Sequence, residues 1–243
     1  MKVDVCFSPV LYPYYKSDSD TIVVVVDVFR ATTCMCTALD NGAKSIIPVA
    51  TPAEAKVYHD KGYLVGGEKN MLRFEFGDFG NSPSDYTKDK VEGKDIVIST
   101  TNGTHAIDMA SDASCLLIGS FSNISTIADF CITQKKDVLV LCAGWQDKFN
   151  FEDSLFGGAL ADMLVEKGGY NANFDAASVA ISMWKEAQKD MMTYIKRSEH
   201  MKRLEQHGLL DVVEFCLEPD TVNVLPVYNK ETGKITVSDF VIN

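Results

Sequence analysis

Apolar residues fall along this chain in short runs separated by amphipathic stretches, and the densest run is Ile22-Val23-Val24-Val25-Val26. Consecutive β-branched residues leave no polar face, so they predict a strand buried on both sides of a sheet. The run stops at Asp27. Arg30 follows in the turn, and Ala31-Thr32-Thr33 opens a helical stretch that Gly42 closes at the C′ position. The alternation recurs further on. Asp95–Ser99 runs into Thr100-Thr101-Asn102-Gly103-Thr104 and a helix over His105–Ala110. Cys115–Ile118 leads to Ser120–Asn123 and a helix to Thr133, and Asp137–Leu141 leads to Cys142-Ala143-Gly144 and a helix over Phe151–Lys167. Buried strand, small or polar turn, then amphipathic helix predicts an α/β fold with a mostly parallel or mixed sheet.

The segments between fill in the order. Val3–Phe7 predicts an opening strand and Ser45–Val49 another, and Thr51-Pro52-Ala53-Glu54 is a capping box for a helix to Lys61. Tyr63–Val65 predicts a short strand that delivers Gly66-Gly67-Glu68. Residues 66–90 show little periodicity and read as a long functional loop. Phe174 to Gln206 is helical in pattern, with Met183, Ala187, Met191 and Ile195 on one stripe, and Gly208 ends it. Val212–Leu217, Val222–Val227 and Ile235–Val237 read as short C-terminal strands with a packing role. The chain reads as a single α/β unit over 1–243, or as two intertwined halves split near residue 92.

Charge narrows the choice of function. A net charge of −11 argues against nucleic acid or an anionic membrane as a partner. No apolar run reaches the roughly 20 residues of a membrane helix, and the amino terminus has no basic-then-apolar signal. Seven cysteines, an odd number without a CxxC pair and mostly in apolar surroundings, predict reduced thiols in a cytoplasmic protein. In so acidic a chain the arginines carry information, and there are four. Arg197 and Arg203 lie in a polar helical segment read as a solvated face, together with His200 and His207. Arg30 is the one set against a buried strand.

A carboxylate at a strand end, an arginine in the turn and hydroxyls at the next helix are the parts of an anion site, in the crevice where open α/β sheets bind ligands. The plainer alternative is that Asp27 caps the helix and Arg30 pairs with it. Beside Arg30, Asp27 is expected to be ionised at neutral pH. Thr100-Thr101-Asn102-Gly103-Thr104 offers hydroxyls, an amide and successive backbone N–H groups at a helix start, which is what phosphoryl oxygens need. Neither GxxxxGK(S/T) nor GxGxxG is present, so this is no nucleotide loop. Asp27, Glu68, Glu152 and Asp153 form an all-oxygen candidate set that favours Mg²⁺ over Zn²⁺. For Glu152 and Asp153 the alternative is simple complementarity to a helix dipole.

Taken together, DVFRATT at Asp27–Thr33, GGEK at Gly66–Lys69, GNSP at Gly80–Pro83, TTNGT at Thr100–Thr104, and CAG with FEDSLFGGAL within Cys142–Leu160 resemble the 2-phosphosulfolactate phosphatase family, Mg²⁺-dependent enzymes linked to coenzyme M biosynthesis. The resemblance implies a three-layer α/β/α fold and hydrolysis of a phosphate monoester of a small organic acid, 2-phosphosulfolactate. It implies Mg²⁺ at Asp27 with Glu68, Glu152 and Asp153, a catalytic role for Asp27 and Arg30, and phosphate contacts from Thr32, Thr33, Asn81, Ser82, Thr100, Thr101, Asn102, Gly103 and Thr104. Whether Asp27 is ligand or nucleophile stays open. Haloacid-dehalogenase-type phosphatases need a second acid two residues on, where this chain has Phe29. Two positions depart from the family pattern: Lys69 and His105 stand where arginine is common. The expected partner is a small phosphorylated organic acid, with no nucleic acid and no membrane; a homodimer is left open. The rival readings are a non-catalytic module binding such a metabolite, and a thiol enzyme using Cys142.

Overall fold

In the computed structural model, which describes residues 1–16, 20–69 and 72–240 (side chains at 69 and 72 excepted), every residue of Ile22–Val26 is at most 3% exposed. Full burial of an aliphatic side chain contributes about 1.5–3 kcal/mol, so this strand is a rigid platform for whatever follows it. The strands are β1 (Val3–Cys6), β2 (Ile22–Val26), β3 (Ser45–Val49), β4 (Leu64–Lys69), β5 (Leu72–Arg73), β6 (Asp95–Ser99), β7 (Cys115–Gly119), β8 (Val138–Cys142), β9 (Pro226–Asn229) and β10 (Lys234–Val237). The helices are α1 (Tyr12–Tyr15), α2 (Ala31–Asp40), α3 (Pro52–His59), α4 (Lys88–Val91), α5 (Gly103–Met109), α6 (Ile124–Gln134), α7 (Phe151–Gly168), α8 (Asp175–Ala187), α9 (Met191–Ile195), α10 (Glu199–Gln206) and α11 (Leu210–Leu217).

Among the described residues the strands form one mixed sheet in the order β1-β8-β2-β7-β9-β10-β3-β6-β4-β5. Two parallel blocks, β1-β8-β2-β7 and β3-β6-β4, are joined through the β9–β10 hairpin, which pairs antiparallel with β7 on one side and β3 on the other. The period of two along β2 sorts its side chains between layers. Ile22, Val24 and Val26 join Val5, Val140 and the apolar faces of α6–α8. Val23 and Val25 join Leu141, Ile96, Ile98 and the inner faces of α2 and α5. A smaller cluster packs Ala55 of α3 on Val49, Val65 and Val97. The result is the three-layer α/β/α arrangement. No helix among the described residues is long and apolar enough to cross a membrane.

Four segments depart from the sequence reading. The stretch 66–90 is not structureless: β4 runs on to Lys69, β5 pairs back onto it, and α4 closes the segment. The single helix expected over Phe174–Gln206 is three, because N-caps interrupt it. Asp190 accepts the Thr193 N–H at 3.0 Å, and the Ser198 hydroxyl accepts those of His200 and Met201 at 3.1 and 3.3 Å. Val212–Leu217 is helix rather than strand. Val212, Val213, Cys216 and Leu217 are buried while Asp211 and Glu214 face out, which is helical spacing despite the paired valines. The strand expected over Val222–Val227 begins only at Pro226.

Candidate active site

The turn after β2 is laced to its own backbone. The Thr32 hydroxyl accepts the Asp27 N–H at 3.0 Å and donates to the Asp27 carbonyl at 2.9 Å. The Thr33 hydroxyl donates to the Val28 carbonyl at 3.0 Å. Both threonines are fully buried. The hydroxyls expected to hold phosphate therefore hold the turn, and neither lines the pocket in front of it. Asp27 is not the helix cap. Arg30 occupies that position, without a side-chain cap bond, and Asp27 Oδ1 meets the Ala31 N–H only at 3.4 Å.

That pocket, about 320 Å³, is lined by Asp27, Arg30, Glu68, Asn81, Thr100, Thr101 and Asn102, together with Phe29, Trp145, Gln146, His200 and Arg203. Arg30 is 5% exposed, and its Nε is a buried donor without a partner. Among the described residues it makes no ion pair with Asp27. A buried, unanswered guanidinium donor is costly unless an anion comes to it. The Thr100 loop is tied down by a bond from the Thr104 hydroxyl to the Thr100 carbonyl, and Gln146 N–H donates to Asn102 Oδ1 at 3.2 Å. Gly103 permits the approach of α5: a Cβ there would lie 2.8 Å from that of Ala31 and 2.9 Å from Asp27 Oδ2. Gly67, at φ +139°, lies so close to the Ser99 carbonyl that a side chain would overlap it, and the next residue, Glu68, lines the pocket.

Burial above all pushes the Asp27 carboxyl up, to about 6; Glu152 and Glu68 add to the rise, while His200 and the Ala31 N–H oppose it. It remains mostly ionised at neutral pH, by a narrower margin than an arginine partner would allow. The four-acid set expected for Mg²⁺ divides in two. Asp153 is fully buried, with Oδ1 accepting the Val28 N–H at 2.8 Å and Oδ2 the Gly144 N–H and the Asn150 amide at 3.0 and 2.9 Å. It braces the turns after β2 and β8. Burial, then the charges of Asp27 and Glu152, drive its carboxyl well up. Glu152 is also fully buried, with Oε1 on the Asn150 amide and His200 Nδ1 and Oε2 on the Ser198 hydroxyl. Neither lines the pocket. Asp153→Ala should therefore lower stability by about 3 kcal/mol or more, since it strands buried N–H donors at ~1–3 kcal/mol each. A urea midpoint measured in EDTA checks this; a small shift would return Asp153 to a role at a metal.

Asp27 and Glu68 remain at the pocket. Among the described residues no three His, Cys, Asp or Glu side chains are grouped as a metal cluster. Two carboxylates suffice for Mg²⁺, which keeps several waters and shares its coordination with substrate phosphates. The all-oxygen pair thus fits a hard cation.

The sequence model of the 2-phosphosulpholactate phosphatase family matches residues 6–231. The chain belongs to that family. It is 35% identical over 231 residues to a probable 2-phosphosulfolactate phosphatase of Clostridium acetobutylicum, spanning 94% of this chain and 97% of the relative. The corresponding protein of Clostridium tetani is 36% identical over 212 residues, 86% of this chain and 90% of its own. That of Caldanaerobacter subterraneus subsp. tengcongensis is 35% identical over 208 residues, 84% and 86%.

Of the residues expected from this phosphatase family's motifs, Asp27, Arg30, Glu68, Asn81, Thr100, Thr101 and Asn102 converge on the pocket. Ser82 does not; its hydroxyl pairs with that of Ser84 at 3.0 Å. Thr104 stabilises the loop from behind. Of the two departures, His105 points toward Asp147 at 3.6 Å, outside the pocket, and the Lys69 side chain lies outside the described residues. His200 and Arg203, read as surface, line the pocket, and the Arg203 guanidinium lies 3.9 Å from the Trp145 ring centroid. The Ser198 cap was the available signal, since it starts a new helix and turns His200 inward. Cys142 is fully buried, and burial first drives its thiol well above the usual range, so it is no nucleophile.

Proposed function

We propose that this chain hydrolyses the phosphate monoester of a small organic acid, 2-phosphosulfolactate as its relatives' names suggest, with Mg²⁺ held by Asp27 and Glu68. The observation that carries the reading is the unpartnered Arg30 Nε, buried at the wall of a pocket that Asp27 and Glu68 share. Arg30 and the Thr100–Asn102 loop hold phosphoryl oxygens. Arg203, held over the Trp145 ring, presents a second cation to the same pocket, which suits a substrate bearing further acid groups beside the phosphate. In a chain of net charge −11 these local charges overcome a repelling field. When bound, Mg²⁺ supplies positive charge to the phosphoryl oxygens and orients the attacking oxygen. The reading includes a cytoplasmic setting and a step in coenzyme M biosynthesis. The first is supported by cysteines that are all unpaired, six of them buried.

Metal removal tests the reading. Release of inorganic phosphate from a panel of phosphorylated organic acids should stop in excess EDTA and return with added Mg²⁺. Full turnover in EDTA would contradict it.

A further inference from the structure

His200 lines the same pocket as the Thr100 loop, and its ring is held by residues outside that lining and by Phe29. Nδ1 lies 2.9 Å from Glu152 Oε1, and the ring meets Phe29 edge-on at 5.8 Å between centroids. Glu152 is itself fully buried, and its oxygens are also engaged by the Ser198 hydroxyl at 3.0 Å and the Asn150 amide at 3.2 Å. A carboxylate accepts, so Nδ1 donates, and Nε2 is the ring nitrogen left for the pocket. A buried acid that orients a histidine toward a ligand site is a catalytic arrangement: it selects the tautomer, holds the ring and offsets the charge of a protonated imidazole. Burying a carboxylate costs free energy unless it holds its partners, and of the three partners of Glu152 the His200 ring is the one that lines the pocket.

Hydrolysis of an alkyl phosphate leaves one demand that Arg30, Asp27 and Glu68 do not meet, protonation of the departing oxygen. We propose that His200 is a catalytic residue, the general acid for the leaving alcohol, with Glu152 and Ser198 as positioning residues. The inference rests on the phosphatase reading above. As the bond from phosphorus to the attacking oxygen forms, the bond to the ester oxygen breaks and its electron pair stays on that oxygen. The oxygen takes the proton from Nε2, giving the free alcohol. The proton released by water, whose oxygen ends in inorganic phosphate, restores Nε2.

A leaving-group comparison tests this with a readout that a structural role would not move. The esters are para-nitrophenyl phosphate, whose leaving group departs without a proton, and a phosphorylated 2-hydroxy acid, whose alkoxide does not. In His200→Gln, kcat on the alkyl ester should fall about 10²–10³-fold, at least ~10-fold more than on the aryl ester. Glu152→Gln should shift the alkyl-to-aryl ratio in the same direction by a smaller factor. Equal losses on both esters, or no loss on the alkyl ester, would overturn the assignment. If the variants do not fold, a series of aryl esters with graded leaving groups in the unaltered protein decides: a shallow dependence of kcat/KM supports a general acid, a steep one overturns it. Hydrolysis of neither ester by the unaltered protein would overturn the phosphatase reading itself, and this inference with it.

Discussion

Asp27→Asn is expected to give a folded protein whose phosphatase turnover is lower by at least ~10³-fold and whose Mg²⁺ binding is weakened. The side chain emerges from β2, where burial is complete, through a turn that Thr32 bonds on both its N–H and carbonyl sides, so the substitution removes charge without moving the backbone. Loss of a single preorganised electrostatic group costs roughly 10²–10³-fold in comparable sites, and loss of a metal ligand adds to that. Stability should move the other way. A carboxyl raised from 3.8 to about 6 in the folded chain, by burial first, penalises the fold progressively as pH rises between those values and fully above the higher one. Asparagine removes the penalty, so at pH above 6 and in EDTA the variant should melt no lower than the unaltered protein. Circular dichroism melts and steady-state phosphate release check both halves. Near-normal turnover would make Asp27 a turn residue, since asparagine and aspartate serve almost equally in such positions.

For Arg30→Ala, turnover on phosphate esters should fall by at least ~10²-fold, equivalent to about 3 kcal/mol of transition-state stabilisation. The expected change in melting temperature is small. Arg30 Nε has no hydrogen-bond partner among the described residues, so its removal breaks no bond there and relieves a buried donor. Arg30→Lys should recover only part of the activity, because an ammonium lacks the planar fork that binds two phosphoryl oxygens at once. Wild-type kinetics in a folded Arg30→Ala protein would remove Arg30 from the site.

These residues were legible in sequence because their signals are local. A run of valines that stops at Asp27 dictates a buried strand and a polar exit, and the threonines of Thr100–Thr104 dictate another. What local signals do not carry is the direction of a side chain within such a turn. Thr32 and Thr33 look like phosphate ligands in sequence, yet their hydroxyls reach backbone groups of the same turn. Glu152 and Asp153 look like ligands at a helix start, yet both serve other elements: the strand turns for Asp153, and α10 for Glu152. The pocket residues of α10 were harder to read. His200 and Arg203 sit among charged residues; the Ser198 cap marks a new helix, but its placement at the pocket is carried by long-range contacts, Glu152 with Ser198 and His200, Phe29 with His200, and Trp145 with Arg203. In α11 the β-branched pair Val212-Val213 suggested a strand, while the spacing of Asp211 and Glu214 carried the correct helical period.

Whether Arg30 and the Thr100 loop hold a phosphoryl group against Asp27 and Glu68 is decided by a crystal structure of the protein grown with Mg²⁺ and tungstate, a phosphate analogue. The oxyanion is expected in the pocket, bonded by Arg30 Nε, with the cation held by the two carboxylates. Tungstate bound elsewhere, with the pocket free of anion and Arg30 unengaged, would contradict it.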